Sequence, residues 1–316
     1  MSTPITIIVN ASSGGEKDAA LLKDLDDAIR RHRLDAHVEK AESGEEIERL
    51  ARRAIDGGCG MIVAGGGDGT VSAIAGMVAG TDITFGVLPF GTLNHFAKDL
   101  GIPLEIDDAV RVLAGGHTIQ ADVGEVNGRV FVNNSSIGLY PHIVKHREQQ
   151  QERLGRSKWV ALAWATLTML GRYPFIDVHI STDGDEIVTR TPLIFIGNNE
   201  YSIDGFTIGT REHLTDGILS LYIPHRTGKL KLFWFALRAL FGTLRGAGEF
   251  DATSVEKILI ETHQKSLHVA VDGEVVVMQT PLRYSIRPGV LRVVVPPPTA
   301  DHADIENQPA AAPAGL

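Results

Sequence analysis

The chain has 316 residues, of which 43% are hydrophobic and 22% charged, and its formal net charge is −9. This composition is typical of a globular chain that buries one or two cores, and we expect two domains. The negative charge argues against nucleic acid as a partner, because phosphate backbones are held by basic surfaces. The single cysteine, Cys59, excludes an intramolecular disulfide.

The N-terminus lacks the basic, apolar and small-residue order of a signal peptide, so we expect a cytoplasmic protein. The longest apolar run, residues 159–170, is shorter than the roughly 20 residues that a bilayer-spanning helix needs. No transmembrane helix is therefore predicted.

Residues 1–120 alternate between short apolar strands and amphipathic helices. Strands are predicted at residues 5–9, 61–64 and 83–88, and helices at residues 21–29, 43–54, 71–78 and 106–113. Ser43 and Glu46 have the spacing of a capping box at the start of the second helix. This alternation predicts an α/β domain with a mainly parallel sheet.

Residues 121–295 show a different pattern, in which strands follow one another. Asn127-Gly128 predicts a type I′ hairpin. Further strands are predicted at residues 176–181, 193–196, 218–223, 255–262, 267–271 and 290–295. We expect an antiparallel β-sandwich, with a barrel as the alternative, and helical insertions near 146–170 and 230–244.

The end of the chain is predicted to hold a strand and a tail. The strand near 289–296 can return to the first domain. Residues 297–316 are too poor in large apolar side chains to offset their ordering entropy, so we expect a disordered tail there.

The glycine-rich stretch GGGDGT, residues 65–70, follows a predicted strand. It is not a dinucleotide fingerprint, because Thr70 stands where the last glycine would be, and it is not a Walker A loop, because no Lys-Ser/Thr pair follows. A plain βα turn remains an alternative. We expect Thr70 to cap a helix over residues 71–78, whose first amides would form a phosphate seat. Asp68 would repel a bare phosphate, so the stretch predicts a nucleotide bound with Mg²⁺.

Four segments occur in a fixed order: GGGDGT, LPFGTLNHFAKDLGIP, LTDGILSLYI and VAVDGEVV. With these segments the chain resembles the diacylglycerol kinase catalytic-domain family, which includes bacterial lipid kinases, sphingosine kinases and ceramide kinases. The resemblance runs from Asn10 to Pro296. It implies an ATP-dependent lipid kinase of NAD kinase-like fold, with the active site in the cleft between the α/β domain and the β-sandwich domain.

The resemblance also implies a set of nucleotide-binding positions. These are Asn10, Ser13, Gly14, Gly66, Gly67, Asp68, Gly69, Thr70, Gly91, Thr92 and Asn94. A plain βα turn at Asn10 and a helix-capping turn near Thr92 are the alternatives.

Metal ligands are implied at two places. Asp216 would hold a structural Mg²⁺ together with the backbone carbonyls of His213 and Ile218, and Asp122 would join Asp68 around metal-bound water. An Asp216-Gly217 turn without a metal is the alternative at the first place.

For the proton acceptor the resemblance implies the segment VDGE. A lipid hydroxyl needs a carboxylate to take its proton as the phosphoryl group transfers, and we assign this role to Asp272 and Glu274 together. Asp68 remains a contender. The alternative is an Asp-Gly hairpin turn with a solvated glutamate.

Some positions depart from the family pattern. Ser72 and Ala73 replace the usual Asn-Glu after GGDGT, His95 stands where several bacterial relatives have aspartate, and Glu42 stands where threonine is common near the adenine. The acidic network is therefore thinner than usual, which leaves open how strongly the chain binds metal and which lipid it accepts.

The predicted partners are ATP and a lipid at a membrane surface. Residues 229–245 form a basic amphipathic helix pattern that can lie on an anionic bilayer, and residues 159–170 are a second candidate for that contact. A buried helix with a basic solvated edge is the alternative for residues 229–245.

We therefore predict a cytoplasmic enzyme, peripheral at the inner face of the membrane, that uses ATP and Mg²⁺ to phosphorylate a lipid hydroxyl such as that of diacylglycerol, giving phosphatidic acid. The alternatives are a soluble-substrate kinase of the NAD kinase kind and a non-catalytic regulator that binds lipid or nucleotide. The oligomeric state is open and includes a homodimer.

Overall fold

The computed structural model describes residues 4–11, 16–138, 175–204, 207–211, 213–224 and 250–297. The helices are α1 (Glu16–Arg31), α2 (Gly44–Asp56), α3 (Asp68–Val78), α4 (His95–Asp99) and α5 (Ile106–Gly115). The strands up to residue 138 are β1 (Ile5–Asn10), β2 (Ala36–Ala41), β3 (Met61–Gly66), β4 (Thr84–Pro89), β5 (Thr118–Val126), β6 (Arg129–Phe131) and β7 (Asn134–Gly138). The later strands are β8 (Ile176–Thr182), β9 (Glu186–Thr191), β10 (Leu193–Asn198), β11 (Tyr201–Asp204), β12 (Thr207–Arg211), β13 (Leu219–Pro224), β14 (Phe250–Val255), β15 (Lys257–Glu261), β16 (Ser266–Val271), β17 (Glu274–Gln279) and β18 (Leu282–Val294).

Several predictions fall outside these residues. They are the helical insertions near 146–170 and 230–244, the membrane-contact segments, Ser13, Gly14 and the predicted tail beyond residue 297.

The first part of the chain forms the parallel half of a ten-stranded sheet. Strands β2, β1, β3 and β4 lie side by side in that order and all run parallel. Their central residues are a continuous apolar run, as in Ile7, Ile8 and Val9, which are at most 1% exposed because helices cover the sheet. The predicted α/β class is confirmed.

The last strand, β18, continues this sheet. Val293 of β18 lies parallel to Phe85 of β4, and β18 also pairs antiparallel with β5 and β15. The order then runs on through β8 to β9. The predicted division between residues 120 and 121 falls inside β5, and it stays a prediction as a domain boundary.

The second sheet has six antiparallel strands in the order β14-β13-β10-β7-β16-β17. Its inner face packs on the antiparallel half of the first sheet, with Ile137, Ile196, Val269 and Tyr284 in the shared apolar core. The antiparallel sandwich is therefore confirmed, and its core is separate from the one around the parallel strands.

Two local predictions are confirmed and one is wrong. The Ser43 side chain accepts a hydrogen bond from Glu46 N, and Asn127 and Gly128 both have positive φ, 47° and 84°, as a type I′ turn requires. Thr70 does not cap α3, because the helix begins at Asp68 with Gly67 as its N-cap. Thr70 is already within the first turn and is buried there.

Candidate active site

The carboxyl ends of the parallel strands meet at one edge of the sheet, which we call the nucleotide edge: the ends of β1, β3 and β4 with the loops that follow them. Phe90 N donates to Gly66 O at 3.1 Å, which joins the loops after β3 and β4. Asn10 Nδ2 donates to Thr70 Oγ1 at 3.1 Å, which joins the end of β1 to α3. Ligands of parallel α/β sheets bind at this edge.

The loops of the nucleotide edge approach so closely that only glycine fits. A Cβ on Gly91 would lie 2.5 Å from Gly67 Cα, and a Cβ on Gly66 would lie 2.6 Å from Thr70 Oγ1. Gly69 has no heavy atom within 4 Å of the place a Cβ would take, so the backbone is open there. The first turn of α3 can thus present amides to an anion without a side chain in the way.

Asp68 lies in that first turn, half-buried. Its Oδ1 accepts a hydrogen bond from His95 N at 2.8 Å, which links the start of α3 to the start of α4. In the described part of the chain no other hydrogen bond to this carboxylate is found. Asp68 therefore has oxygen lone pairs to spare, as a Mg²⁺ ligand must.

Asn94 is used by its own loop. It adopts a left-handed conformation with φ 52°, its Oδ1 accepts from Gly91 N at 2.9 Å, and its Nδ2 donates to Gly91 O at 2.8 Å and to Pro89 O at 3.2 Å. These bonds hold Gly91 against the first loop. Thr92 is exposed beside them. The roles proposed for both residues in nucleotide binding stay predictions.

The segment VDGE forms a tight hairpin between β16 and β17, with positive φ at Asp272 and Gly273, 47° and 86°. We call residues 272–274 the acceptor turn. The Asp272 carboxylate accepts four hydrogen bonds, from Ser72 Oγ at 2.6 Å and from the amides of Val132, Asn133 and Asn134 at 2.8, 2.8 and 2.9 Å. A carboxylate has about four lone-pair positions, so these donors saturate it.

Desolvation raises the pKa of the Asp272 carboxyl above its usual value, and the hydrogen bonds from Ser72 and the three amides act in the opposite direction. The same bonds fix the side chain toward residues 132–134. Asp272 is therefore well placed to shape the turn.

Glu274 has a different environment. Its side chain is 68% exposed and its Oε2 accepts from Arg129 Nη2 at 2.7 Å. The turn at Gly273 breaks the strand relation by which residues two apart share a face, so the two carboxylates have different partners. The hairpin with an exposed glutamate, which was the alternative for this segment, is the geometry of the structure.

The predicted metal segment, residues 213–218, is held by Asp122. The Asp122 carboxylate accepts from Gly217 N at 2.7 Å and from Gly289 N at 2.8 Å. Asp216 is exposed, and the Ile218 carbonyl accepts from Asn199 N at 3.0 Å. Among the described residues no group of three or more His, Cys, Asp and Glu could hold a metal ion. The predicted roles of Asp216, His213, Ile218 and Asp122 in metal binding stay predictions.

Comparison with known proteins identifies the two halves of the chain. Residues 4–126 match the profile of the diacylglycerol kinase catalytic domain, and residues 140–295 match that of the YegS C-terminal NAD kinase beta sandwich-like domain. The chain belongs to the diacylglycerol kinase and YegS-like lipid kinase family. The resemblance stated from the sequence is thus confirmed, and so is the NAD kinase-like fold.

Individual relatives agree with this family. "Probable lipid kinase YegS-like" from Pseudomonas savastanoi pv. phaseolicola is 27% identical over 92% of this chain and 95% of its own length. "Diacylglycerol kinase" from Staphylococcus epidermidis is 28% identical over 72% of each chain. A solved structure of a diacylglycerol kinase from Bacillus anthracis has a TM-score of 0.66 and 20% identity, and covers 93% of this chain and 97% of that chain, which shows a shared fold.

Three residues of this lipid kinase family member escaped the sequence analysis as site residues: Asp99, Asn133 and Arg211. They form a buried polar cluster in which Arg211 Nε donates to Asp99 Oδ2 at 2.8 Å and Arg211 Nη2 donates to Asn133 Oδ1 at 3.0 Å. Asp99 lies inside the quoted segment LPFGTLNHFAKDLGIP and Arg211 just ahead of LTDGILSLYI. Their position within or beside the family segments was a signal that could have marked them as site residues. The pairing of Arg211 with Asp99, 112 positions apart, cannot be predicted from one sequence.

No helix in the described ranges is long and apolar enough to cross a membrane.

Proposed function

We propose that this family member transfers the γ-phosphoryl group of ATP to a lipid hydroxyl, most simply that of diacylglycerol, to give phosphatidic acid. One contact carries the proposal: Ser72 Oγ on α3 donates to Asp272 Oδ2 at 2.6 Å. This bond ties the nucleotide edge to the acceptor turn although 200 positions separate them in sequence. A phosphoryl donor and an acceptor hydroxyl must meet in this way for direct transfer.

The nucleotide edge suits a phosphate chain bound with Mg²⁺. The open backbone at Gly69 leaves room for phosphate oxygens beside the first amides of α3, while Gly66 and Gly67 pack closely against Thr70 and Gly91. Asp68 would supply an oxygen ligand for the cation. Mg²⁺ held there would offset the negative charge of the transferring group. Asn10, another predicted nucleotide contact on this edge, donates to Thr70 Oγ1 and braces it.

Within the acceptor turn we assign the proton-accepting role to Glu274 and a positioning role to Asp272. All four acceptor positions of Asp272 are filled, whereas Glu274 is exposed and has a single described partner, Arg129. In the transfer the lipid oxygen bonds to the γ-phosphorus, the bond from that phosphorus to the β–γ bridging oxygen breaks, and the hydroxyl proton passes to Glu274. The products are the phosphorylated lipid, ADP and a proton.

The test is a labelling assay with γ-labelled ATP, Mg²⁺ and an extracted lipid mixture presented as vesicles, with NAD offered in a parallel reaction. We expect label in one lipid class, identified by mass spectrometry, and none in NAD. Label in NAD but in no lipid would overturn the proposal in favour of a soluble-substrate kinase. Nucleotide binding without label in either would favour the non-catalytic regulator.

The acceptor lipid resides in a bilayer, so the proposal includes binding at the inner face of the membrane. A vesicle sedimentation assay with anionic and neutral vesicles tests membrane binding, which we expect to be stronger for anionic vesicles if residues 229–245 form the contact.

A further inference from the structure

The guanidinium of Arg211 is buried. Its side chain is 0% exposed and that of its partner Asp99 is 5% exposed. Besides Asp99, Arg211 donates through Nη1 to Val132 O at 2.6 Å and to Asn198 O at 3.1 Å, and through Nη2 to Asn133 Oδ1 at 3.0 Å. A buried charge is tolerated only when it is fully paired in this way.

The partners of Arg211 belong to the two halves of the proposed site. Asp99 ends α4, whose first amide, His95 N, donates to Asp68 on the nucleotide edge. Val132 and Asn133 bond Arg211 through a carbonyl and a side-chain oxygen, while their amides donate to Asp272. Arg211 therefore connects the helix beside Asp68 with the peptide that holds Asp272.

Ser72 completes a closed set of contacts between Asp68 and Asp272. Ser72 Oγ donates to Asp272 from α3, the helix that begins with Asp68. We call this closed set the hydrogen-bond circuit; its members are Asp68, His95, Asp99, Arg211, Val132, Asn133, Asp272 and Ser72. The linking bonds range from 2.6 Å for Ser72 Oγ to Asp272 Oδ2 to 3.0 Å for Arg211 Nη2 to Asn133 Oδ1.

We propose that Arg211 and Ser72 are positioning residues that couple nucleotide binding at Asp68 to the geometry of the acceptor turn. The inference rests on the proposed function, since the coupling serves a transfer between the two sites. A buried ion pair gives little net stability over a well-packed apolar pair, so the value of Arg211 and Asp99 lies in fixing one arrangement of four chain segments. Ser72 is a direct bridge between α3 and Asp272.

Kinetics of Ser72 variants give the first test. Ser72→Ala removes the bridge, and Ser72→Thr keeps the hydroxyl. We expect Ser72→Ala to lower kcat for lipid phosphorylation about tenfold, as a loss of positioning does, while the KM for ATP stays within about twofold. Ser72→Thr restores kcat. An unchanged kcat in Ser72→Ala, or equal losses in both variants with a lowered Tm, would overturn the coupling.

Hydrogen exchange gives a second test that needs no lipid turnover. Addition of Mg²⁺ and a non-hydrolysable ATP analogue should slow exchange of the amides of residues 132–134, which lie far from the nucleotide edge in sequence. We expect this protection to be lost in Ser72→Ala and in Arg211→Lys, since a lysine cannot reproduce the fork of Arg211. Arg287→Lys, which alters a partly exposed ion pair with Glu125, is the matched control and keeps the protection.

The outcomes separate the two proposals. If the wild-type protein labels no lipid but shows nucleotide-dependent protection at residues 132–134, the lipid kinase proposal fails and the coupling stands. If the analogue binds and gives no protection, or if protection persists in both variants, the coupling fails whatever the lipid assay shows.

Discussion

Asp68 and Asp272 are two carboxylates of one candidate site with opposite surroundings. Asp68 accepts one described hydrogen bond, from His95 N, whereas Asp272 accepts four. A carboxylate with free lone pairs can take a ligand from outside, and a saturated one can only hold the chain in place. The difference supports the proposed roles, a metal ligand for Asp68 and a positioning residue for Asp272.

A substitution at Glu274 has the largest expected effect on activity. Glu274→Gln keeps the shape of the side chain but cannot accept the lipid proton, so we expect kcat to fall about 1,000-fold with nucleotide affinity unchanged. Steady-state kinetics and calorimetric titration with an ATP analogue measure the two effects. Glu186→Gln, another exposed glutamate, is the control. Equal activity of the two variants would remove Glu274 from the chemistry.

Asp68 should show its effect in metal use. Asp68→Asn can still accept from His95 N but loses its charge, so we expect the Mg²⁺ concentration for half-maximal activity to rise about 100-fold. A Mg²⁺ titration at saturating nucleotide measures this. Asp82→Asn, in an exposed loop, should leave the titration unchanged. An unshifted curve for Asp68→Asn would mean that the metal contacts other oxygens.

Asp272 should show its effect in stability. Asp272→Asn puts an NH₂ group against backbone amides that need an acceptor, and we expect the free energy of unfolding to fall by about 3 kcal/mol. Nucleotide affinity should remain close to that of the wild type. Urea denaturation measures the loss, with Asp177→Asn as the exposed control. A stable but inactive Asp272→Asn variant would instead give Asp272 a direct part in proton transfer.

Tyr201 gives the smallest expected effect. It tests the packing beside Asn133, whose amide donates to Asp272. Tyr201 OH donates to Asn133 O at 2.9 Å, and burial raises the pKa of Tyr201 from 10.0 to about 12. The folded state holds this proton more tightly than the unfolded state. The resulting contribution to the free energy of unfolding is fully present below pH 10 and is lost as the pH rises through 12. The loss amounts to about 2 kcal/mol at pH 12.

Tyr201→Phe lacks this titration, so its stability curve should converge on that of the wild type between pH 10 and 12. Urea denaturation at several pH values in this range measures the difference. Parallel curves would show that Tyr201 titrates equally in both states. The other tyrosines are unchanged in the comparison, so their contributions cancel.

The sequence predicted those features that depend on local chemistry. The capping box at Ser43, the turn at Asn127 and most strands and helices before residue 120, though not β2, follow from residues a few positions apart along the chain. The start of α3 was wrong by three residues, because an N-terminal Asp68 and a glycine N-cap replaced the expected threonine cap. The family segments located the candidate site.

The sequence could not predict which residues of different segments meet. The saturation of Asp272 depends on amides of residues 132–134 that bear no distinctive side chain. The pairing of Arg211 with Asp99 joins a strand of one half to a helix of the other. Such contacts are set by the packing of whole sheets, which no spacing rule in a single sequence encodes.

Strand β18 has a consequence for how the protein is made. It lies between β4 and β15 and pairs with β5, so the ten-stranded sheet is incomplete until residues 282–294 have been synthesised. During translation β4 therefore emerges with one open edge while some two hundred residues follow it. We expect the nascent chain to hold its parallel strands as an unfinished sheet, exposed to strand pairing with other chains, and to complete the sheet only after its last strand has left the ribosome.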